Sequence, residues 1–126
     1  MKYLLDTNIL VDYLRGRSKL DEMLVKEGSA VSVITLSELY YGAYKSMNPK
    51  KGAKEIEETV KDLSLGIIQL ENNTKIYGKI KAFLEKKGKR LEDIDLFIAA
   101  TAISNNLTVV TNNKKYFRRI PKLKLY

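Results

Sequence analysis

The sequence contains no histidine and no cysteine. Without histidine, the usual general base, the Ser-His and Cys-His nucleophile pairs and the ordinary zinc ligand sets are excluded. Without cysteine there is neither a disulfide framework nor a thiolate metal site, which fits a reducing compartment. Any hydrolytic chemistry in this chain must therefore depend on carboxylates and on hard cations.

Long apolar runs are also missing. The longest run, residues 96–103, is interrupted by Thr101 and is far shorter than the ~20 residues that a bilayer-spanning helix needs. The apolar start of the chain meets Asp6 too early to serve as the core of a signal peptide. We therefore expect a cytoplasmic protein. A chain of 126 residues without low-complexity linkers also predicts one domain over residues 1–126.

Positive charge is in excess, with a formal net charge of +8 and a sequence pI near 9.6. This balance favours a polyanionic partner, because each Lys or Arg placed on a phosphate releases condensed counterions. A lysine-rich solvated surface is the alternative interpretation. Charge alone does not decide between the two, since nucleic-acid binding requires a clustered basic surface.

The apolar patterns alternate between strand and helix. Strands are predicted at residues 2–5, 30–33, 66–70 and 107–110, with a possible edge strand at 122–126. Helices are predicted at these places: 7–14, one capped by Ser18 and ending at Gly28, one opened by a capping box at 35–38, one beginning at Asn48-Pro49, one from Asn72 or Asn73 to Gly88, and 93–103.

This alternation predicts an α/β fold. Strands separated by helix-length connections pair in parallel, so we expect a central parallel sheet of four to five strands with helices on both faces. In such sheets the ligand crevice lies beyond the carboxyl ends of the strands, near the switch point in strand order. Asp6, Glu38 and Thr111 each follow a predicted strand and can border that crevice.

Four acidic residues stand next to apolar segments. Asp6 follows the first strand, Glu38 falls in the third helix, and Asp93 and Asp95 precede a helix that is apolar nearly all round. Helix capping is the alternative role for each of them, although Asp95 lies too near the apolar segment to fit it well. If Asp6, Glu38 and Asp95 meet in one crevice, their mutual repulsion calls for a cation. Oxygen ligands alone select Mg²⁺ or Mn²⁺.

Four motifs, taken in order, resemble the PIN-domain family, specifically the VapC toxins of bacterial and archaeal toxin-antitoxin pairs. They are Leu5-Asp6-Thr7-Asn8-Ile9-Leu10, Ser37-Glu38-Leu39, the segment from Asp95 to Ala102, and Val109-Val110-Thr111-Asn112-Asn113 with Phe117 and Leu123. The match covers essentially the whole chain. The resemblance implies an acidic metal site and hydrolysis of RNA phosphodiesters by a water that Mg²⁺ or Mn²⁺ activates.

The resemblance also implies roles for individual residues. Asp6 and Asp95 match the principal metal ligands, and Glu38 matches a further ligand or a residue acting through water. Supporting roles fall to Thr7, Asn8, Thr111, Asn113 and, in an outer position, Asp93. Two positions depart from the family, because Asn113 and Tyr116 stand where many members have acids. Fewer carboxylates put binding of a second metal ion in doubt, although the Asn113 amide can still hold a water or a phosphate oxygen.

Basic and aromatic residues supply candidate binding surfaces. Lys114, Lys115, Arg118 and Arg119 follow Asn113 and can hold RNA phosphates, and Arg15 and Arg17 after the first helix are similar candidates. Each can equally be a solvated surface residue. Tyr40, Tyr41 and Tyr44 recur at helical spacing, and we favour an interface role for them. The resemblance implies two such interfaces, with a second copy in a homodimer and with a cognate antitoxin.

Three other functions remain to be compared with an endoribonuclease toxin. The missing acid at Asn113 favours a non-catalytic RNA-binding module, and a housekeeping RNA-processing nuclease would carry the same acidic residues. A receiver-like phospho-signalling domain also uses acids and Mg²⁺, but it needs an acceptor aspartate at the end of a central strand. The third predicted strand, residues 66–70, offers none.

Overall fold

The computed structural model describes residues 1–71 and 73–126. One or two helices separate each strand from the next along this part of the chain, which explains the parallel pairing below. In chain order the elements are β1 (Tyr3–Leu5), α1 (Thr7–Leu14), α2 (Glu22–Lys26), β2 (Ser29–Ser32), α3 (Val33–Tyr44), α4 (Pro49–Asp62), β3 (Gly66–Ile68), α5 (Thr74–Lys86), α6 (Asp93–Ser104), β4 (Thr108–Val110), α7 (Lys114–Phe117) and β5 (Lys124–Leu125).

The five strands form one parallel sheet in the order β3-β2-β1-β4-β5. Tyr3 of β1 aligns with Ser29 of β2 on one side and with Thr108 of β4 on the other. The chain therefore extends the sheet in one direction from β1 and then returns to β1 to extend it in the other. The switch point lies between β1 and β4, whose carboxyl ends must border the crevice. The predicted parallel sheet, including its edge strand, is confirmed.

Helices cover both faces of the sheet, as predicted. Successive strand residues point to opposite faces, so Leu4 packs in one buried cluster with residues of α5 and α6, such as Leu84 and Ile98. Leu5 packs in the other, with residues of α1 and α3 such as Leu10 and Leu39. None of the helices in the described part of the chain has the length and apolar character needed to cross a membrane.

Two predicted helix starts are wrong. The third helix begins at Val33, and its N-cap is Ser32, whose hydroxyl accepts a hydrogen bond from the Ile34 amide at 3.1 Å. Thr35 is therefore buried inside the helix and does not open a capping box. The second helix is capped by Asp21 in place of Ser18, since Asp21 accepts from the Met23 amide at 3.0 Å. In both cases a neighbouring residue satisfies the free amide groups first.

Other helix ends agree with the sequence. Asn48 accepts a hydrogen bond from the Lys51 amide at 3.3 Å with Pro49 as the first helical residue, and α6 spans the predicted segment. Gly28 and Gly88 have φ angles of 86° and 67°, the left-handed conformation expected of a helix stop. Of the two asparagines predicted to start α5, Asn73 is its N-cap and Asn72 lies outside the described residues. The short helix α7 was not predicted.

Candidate active site

Asp6 lies at the carboxyl end of β1, with only 3% of its surface exposed. Its Oδ1 atom accepts a hydrogen bond from the Thr7 amide at 2.8 Å. Its Oδ2 atom accepts from the Asn8 amide group at 3.2 Å and from the Thr111 hydroxyl at 2.7 Å. Burial raises the pKa of Asp6, and the three hydrogen bonds oppose that rise. Because Thr111 directly follows β4, this contact joins the two strands at the switch point.

Glu38 reaches the same place from α3. The Thr7 hydroxyl donates a 2.6 Å hydrogen bond to Glu38 Oε1 and lies 3.3 Å from the hydroxyl oxygen of Thr35. Thr35 and Glu38 are three residues apart, so they share one face of α3, and that face packs against the start of α1. The early start of α3 at Val33 thus places Glu38 in the second turn, where it borders the same cavity as Asp6 and does not cap its own helix.

Asp95 approaches from the first turn of α6 and is half-buried. Burial is the largest cause that raises its pKa to about 6, followed by the negative charges of Asp6, Glu92 and Glu38. The helix dipole at this position favours an ionised carboxylate, so burial and repulsion outweigh it. The three predicted acidic residues are therefore close enough to affect one another electrostatically.

These side chains border one cavity of about 400 Å³. Its lining residues are Asp6, Thr7, Asn8, Val11, Asp12, Arg17, Glu38, Glu92, Ile94, Asp95 and Asn113. The structure thus brings together all three predicted carboxylates and three of the predicted supporting residues. It adds Asp12 and Glu92, which sequence reasoning missed. Asp12 follows Asn8 by four positions, so a helical-face argument could have found it; Glu92 precedes α6 and carries no comparable signal.

Asp93, predicted to take an outer supporting position, does not border the cavity. It is exposed and accepts hydrogen bonds from the Tyr77 hydroxyl at 2.8 Å and from Lys81 Nζ at 3.0 Å, both on α5. Side chains two residues apart on a helix point about 200° away from each other. Asp95 therefore faces the cavity while Asp93 faces α5.

The predicted basic and aromatic residues lie on the surface around this site. Lys114, Lys115 and Arg118 are exposed on or beside α7, and the Arg119 guanidinium lies 5.0 Å from the centre of the Tyr116 ring. On α3, Tyr40 stacks on Tyr44, while Tyr41 and Tyr44 are 67% and 64% exposed. Both groups remain available to a partner.

A hard divalent cation fits the donor set of the cavity. All its charged donors are carboxylates, because the chain has no His or Cys. Part of the rise in the pKa of Asp95, after burial, comes from the negative charges of Asp6, Glu92 and Glu38, and a cation would offset that repulsion. Among residues 1–71 and 73–126, no three acidic side chains already surround one point as metal ligands would. The chemistry of the donors therefore fits such an ion.

Comparison with known proteins agrees with this geometry. The family model described as PIN domain matches residues 3–123. Ribonuclease VapC2 of Haemophilus influenzae is 37% identical over 98% of this chain and 96% of its own. The tRNA(fMet)-specific endonuclease VapC of Salmonella typhimurium is 33% identical over 99% and 96%. Among solved structures, VapBC2 from Rickettsia felis, bound to a DNA fragment from their promoter, aligns with a TM-score of 0.90 and 37% identity over 100% of this chain and 98% of its own. The chain belongs to the PIN-domain family.

Proposed function

We propose that this protein is a VapC-like toxin, an endoribonuclease that hydrolyses RNA phosphodiesters with a divalent metal ion and is inhibited by a cognate antitoxin. The observation that carries the proposal is the meeting of Asp6, Glu38 and Asp95 at the switch point of the sheet. They come from β1, α3 and α6, which are far apart in sequence. Relatives named as ribonucleases support the same activity.

Asp6, Asp95 and Glu38 would hold the ion, which we propose to be Mg²⁺ or Mn²⁺. When bound, such an ion would act as a Lewis acid that activates water for attack and offsets charge on the phosphate. The surrounding polar residues orient the carboxylates. Thr111 and Asn8 fix both the position and the rotation of the Asp6 carboxylate. Thr7 turns Glu38 towards the cavity.

Asn113 has a different task in this proposal. Its side chain borders the cavity beyond β4, and its backbone amide donates to the Thr111 hydroxyl at 3.0 Å. A neutral amide cannot add charge to a metal site, but it can donate a hydrogen bond to a phosphate oxygen. The site therefore depends on fewer carboxylates than the family pattern offers, and one bound ion is the simpler expectation.

The RNA substrate would lie over the surface next to Asn113. Helix α7 begins directly after that residue with Lys114 and Lys115, and Arg118 and Arg119 follow its last residue. These side chains can contact phosphates on either side of the cut and so set the register of the RNA. They carry no chemistry themselves.

Two protein partners belong to the proposal. The Rickettsia felis structure contains VapBC2, which supports an antitoxin as partner of this chain. The exposed Tyr41 and Tyr44 on α3 offer an aromatic surface of the kind enriched in protein interfaces. We propose that this surface contributes to an interface in a homodimer or with the antitoxin.

The direct test is RNA cleavage by the purified protein, freed of any partner. With Mg²⁺ or Mn²⁺ added it should cut structured RNA, and a chelator should stop the reaction. Asp6→Asn and Asp95→Asn should each lower the rate by at least about a hundredfold, with unchanged circular dichroism. Asp62→Asn, at the exposed end of α4, is the matched control and should leave the rate unchanged. Cleavage retained in either of the first two variants would remove the assignment.

A second function is favoured by Asn113 in place of an acid. A non-catalytic RNA-binding module would bind RNA in a salt-sensitive way, ignore a chelator and survive both aspartate substitutions. The same purified proteins distinguish the two functions, because only the nuclease loses cleavage when the ion is removed.

A further inference from the structure

Arg17 is the one positively charged side chain that borders the acidic cavity, within the part of the chain that the structure describes. Five carboxylates border the same space, from Asp6, Asp12, Glu38, Glu92 and Asp95. A negatively charged RNA backbone would be repelled from such a cavity unless cations offset the charge. The chain itself supplies one cation there, and its placement follows from the end of α1.

The backbone at the end of α1 fixes the position of Arg17. Gly16 has a φ of 69°, and its amide donates to the Tyr13 carbonyl at 3.1 Å. The Arg17 amide donates to the Asp12 carbonyl at 2.9 Å. These two bonds form a Schellman motif, the left-handed helix stop that turns the chain back along the helix. This turn brings Arg17 back alongside Asp12, one helical turn nearer the cavity than the end of α1.

The side chain of Arg17 is held more loosely. Its Nη1 atom lies 3.7 Å from Asp12 Oδ1, and 61% of its side chain is exposed. A guanidinium has five N–H donors, and among residues 1–71 and 73–126 the long contact with Asp12 leaves most of them available. Arg17 is thus kept at the mouth of the cavity while it can still bind an incoming anion.

A continuous chain of hydrogen bonds joins Arg17's partner to the metal-binding carboxylate. The Asn112 amide group donates to Asp12 Oδ2 at 2.9 Å. The Asn112 backbone amide donates to Asn8 Oδ1 at 3.3 Å, and Asn8 in turn donates to Asp6 Oδ2 at 3.2 Å. These hydrogen bonds connect segments 100 residues apart in sequence. They therefore set the distance between the Arg17 guanidinium and the acidic centre.

We propose that Arg17 binds an RNA phosphate next to the scissile one, and that Asn112 is a positioning residue that acts through Asp12 on Arg17. The proposal rests on the ribonuclease function above and names a substrate contact for it. A guanidinium suits this task, because its planar N–H groups match two phosphate oxygens at once. The contact is made to bound RNA before reaction, so it should act on substrate binding more than on the rate of the bound complex.

Arg15 provides a matched control. The sequence offers Arg15 and Arg17 equally as RNA-binding candidates, but the structure separates them: Arg15 is also exposed, yet it borders a groove between α1, α3 and α4 and not the acidic cavity. Replacing either arginine with Gln removes the same charge from the same segment. Long-range electrostatic effects on RNA should therefore be nearly equal in the two variants, and the difference between them isolates the local contact.

Binding is measured first, with a fluorescein-labelled single-stranded RNA and the full chain carrying Asp95→Asn to prevent cleavage. In that background Arg17→Gln should weaken binding about tenfold and reduce the slope of log affinity against log salt by about 0.7, the value for one single-strand phosphate contact. Arg15→Gln should weaken it less than about threefold. The RNA affinity of Arg17→Lys should lie between those of Arg17→Gln and Arg15→Gln, because lysine keeps the charge but lacks the planar guanidinium.

Steady-state cleavage is measured next, without Asp95→Asn. Arg17→Gln should raise KM about tenfold and change kcat less than about threefold. Asn112→Ala should raise KM in the wild-type background and have no further effect in Arg17→Gln, because a positioning residue acts only through its partner. Equal effects of Arg15→Gln and Arg17→Gln on binding and KM overturn the phosphate contact. Additive effects of Asn112→Ala and Arg17→Gln overturn the positioning role. In either case cleavage by the wild type leaves the ribonuclease function standing; a wild type that neither binds nor cuts RNA overturns both.

Discussion

The two sides of the acidic cavity are built in different ways. On the β1 and β4 side, Asp6 is buried and accepts three hydrogen bonds from the chain. On the α6 side, Asp95 is half-buried, and no hydrogen bond to its carboxylate is found among the described residues. The pKa of Asp95 is raised to about 6, mainly by burial and then by Asp6. Burial raises the pKa of both carboxylates, but among the described residues only Asp6 accepts hydrogen bonds that oppose the rise.

This difference follows from where each residue lies. The end of β1 is next to β4 at the switch point, so donors from α1 and from Thr111, directly after β4, converge on Asp6. Asp95 lies in the first turn of α6, whose N-terminal end borders the cavity, and no strand end adjoins it in sequence. The Asp6 side can therefore be rigid before any ligand binds, while the Asp95 side should respond to metal and to pH.

The largest effect should come from removing a donor on the Asp6 side. Thr111→Val keeps the shape of the side chain but leaves Asp6 Oδ2 with one donor fewer in a buried site. We expect a loss of about 1–3 kcal/mol in the free energy of unfolding and a fall in cleavage rate of about tenfold or more. Urea denaturation and a cleavage assay measure the two quantities.

Thr108→Val, on the same strand, is the matched control. Thr108 is half-buried, and its hydroxyl contacts no partner among the described residues. It should change neither quantity appreciably. Equal losses in the two variants would mean that the strand, and not the Asp6 contact, is sensitive to substitution, and the proposed asymmetry would fail.

A smaller, pH-dependent effect is expected on the Asp95 side in metal-free protein. Asp95 has a pKa of about 6 in the folded state and a lower one when unfolded, so the folded state binds its proton more tightly. This contribution to stability is complete below about pH 4 and is lost as pH rises through 6. The measured quantity is the free energy of unfolding with a chelator present. Its change from pH 5 to pH 7 should disfavour pH 7 by roughly 1–2 kcal/mol more in the wild type than in Asp95→Asn.

Mg²⁺ should raise the free energy of unfolding of the wild type at pH 7, because a bound cation stabilises the ionised carboxylate. The difference between pH 5 and pH 7 should therefore become smaller. If the free energy of unfolding changes equally from pH 5 to pH 7 in the wild type and in Asp95→Asn, the raised pKa of Asp95 is contradicted. That result would also remove the contrast with Asp6.

The smallest effect is expected at Asp93, two residues from Asp95. Asp93→Asn weakens an exposed ion pair with Lys81, on the side of α6 that faces α5. Exposed pairs contribute little, so the cleavage rate should stay within about twofold of the wild type. A loss as large as that of Asp95→Asn would place Asp93 in the acidic site after all.

The sequence was sufficient to predict the sheet and the three acidic residues, because both leave local signals. Alternating apolar patterns specify parallel strands, and acids that interrupt or border apolar segments are conspicuous. The preference for Asp95 over Asp93 also came from local context, since Asp95 lies deeper in the apolar helix. Confirmation of the residues' roles in catalysis awaits the substitutions above.

The remaining features depend on contacts that no local pattern encodes. The capping box at residues 35–38 was a reasonable interpretation, yet Ser32 at the end of β2 begins the helix earlier and turns Glu38 towards Thr7. The contact between Asn112 and Asp12 spans 100 residues. Nothing in the spacing around either residue indicates that pairing, so the place of Arg17 beside the cavity required the folded chain.

The hydrogen bond between Thr111 and Asp6 links residues 105 positions apart. During synthesis Asp6 is made long before β4 and before Thr111, the threonine that orients its carboxylate. A product that stops before Thr111 lacks this donor and has an incomplete acidic centre. The order of the strands therefore means that the acidic centre is completed only after β4 has been made.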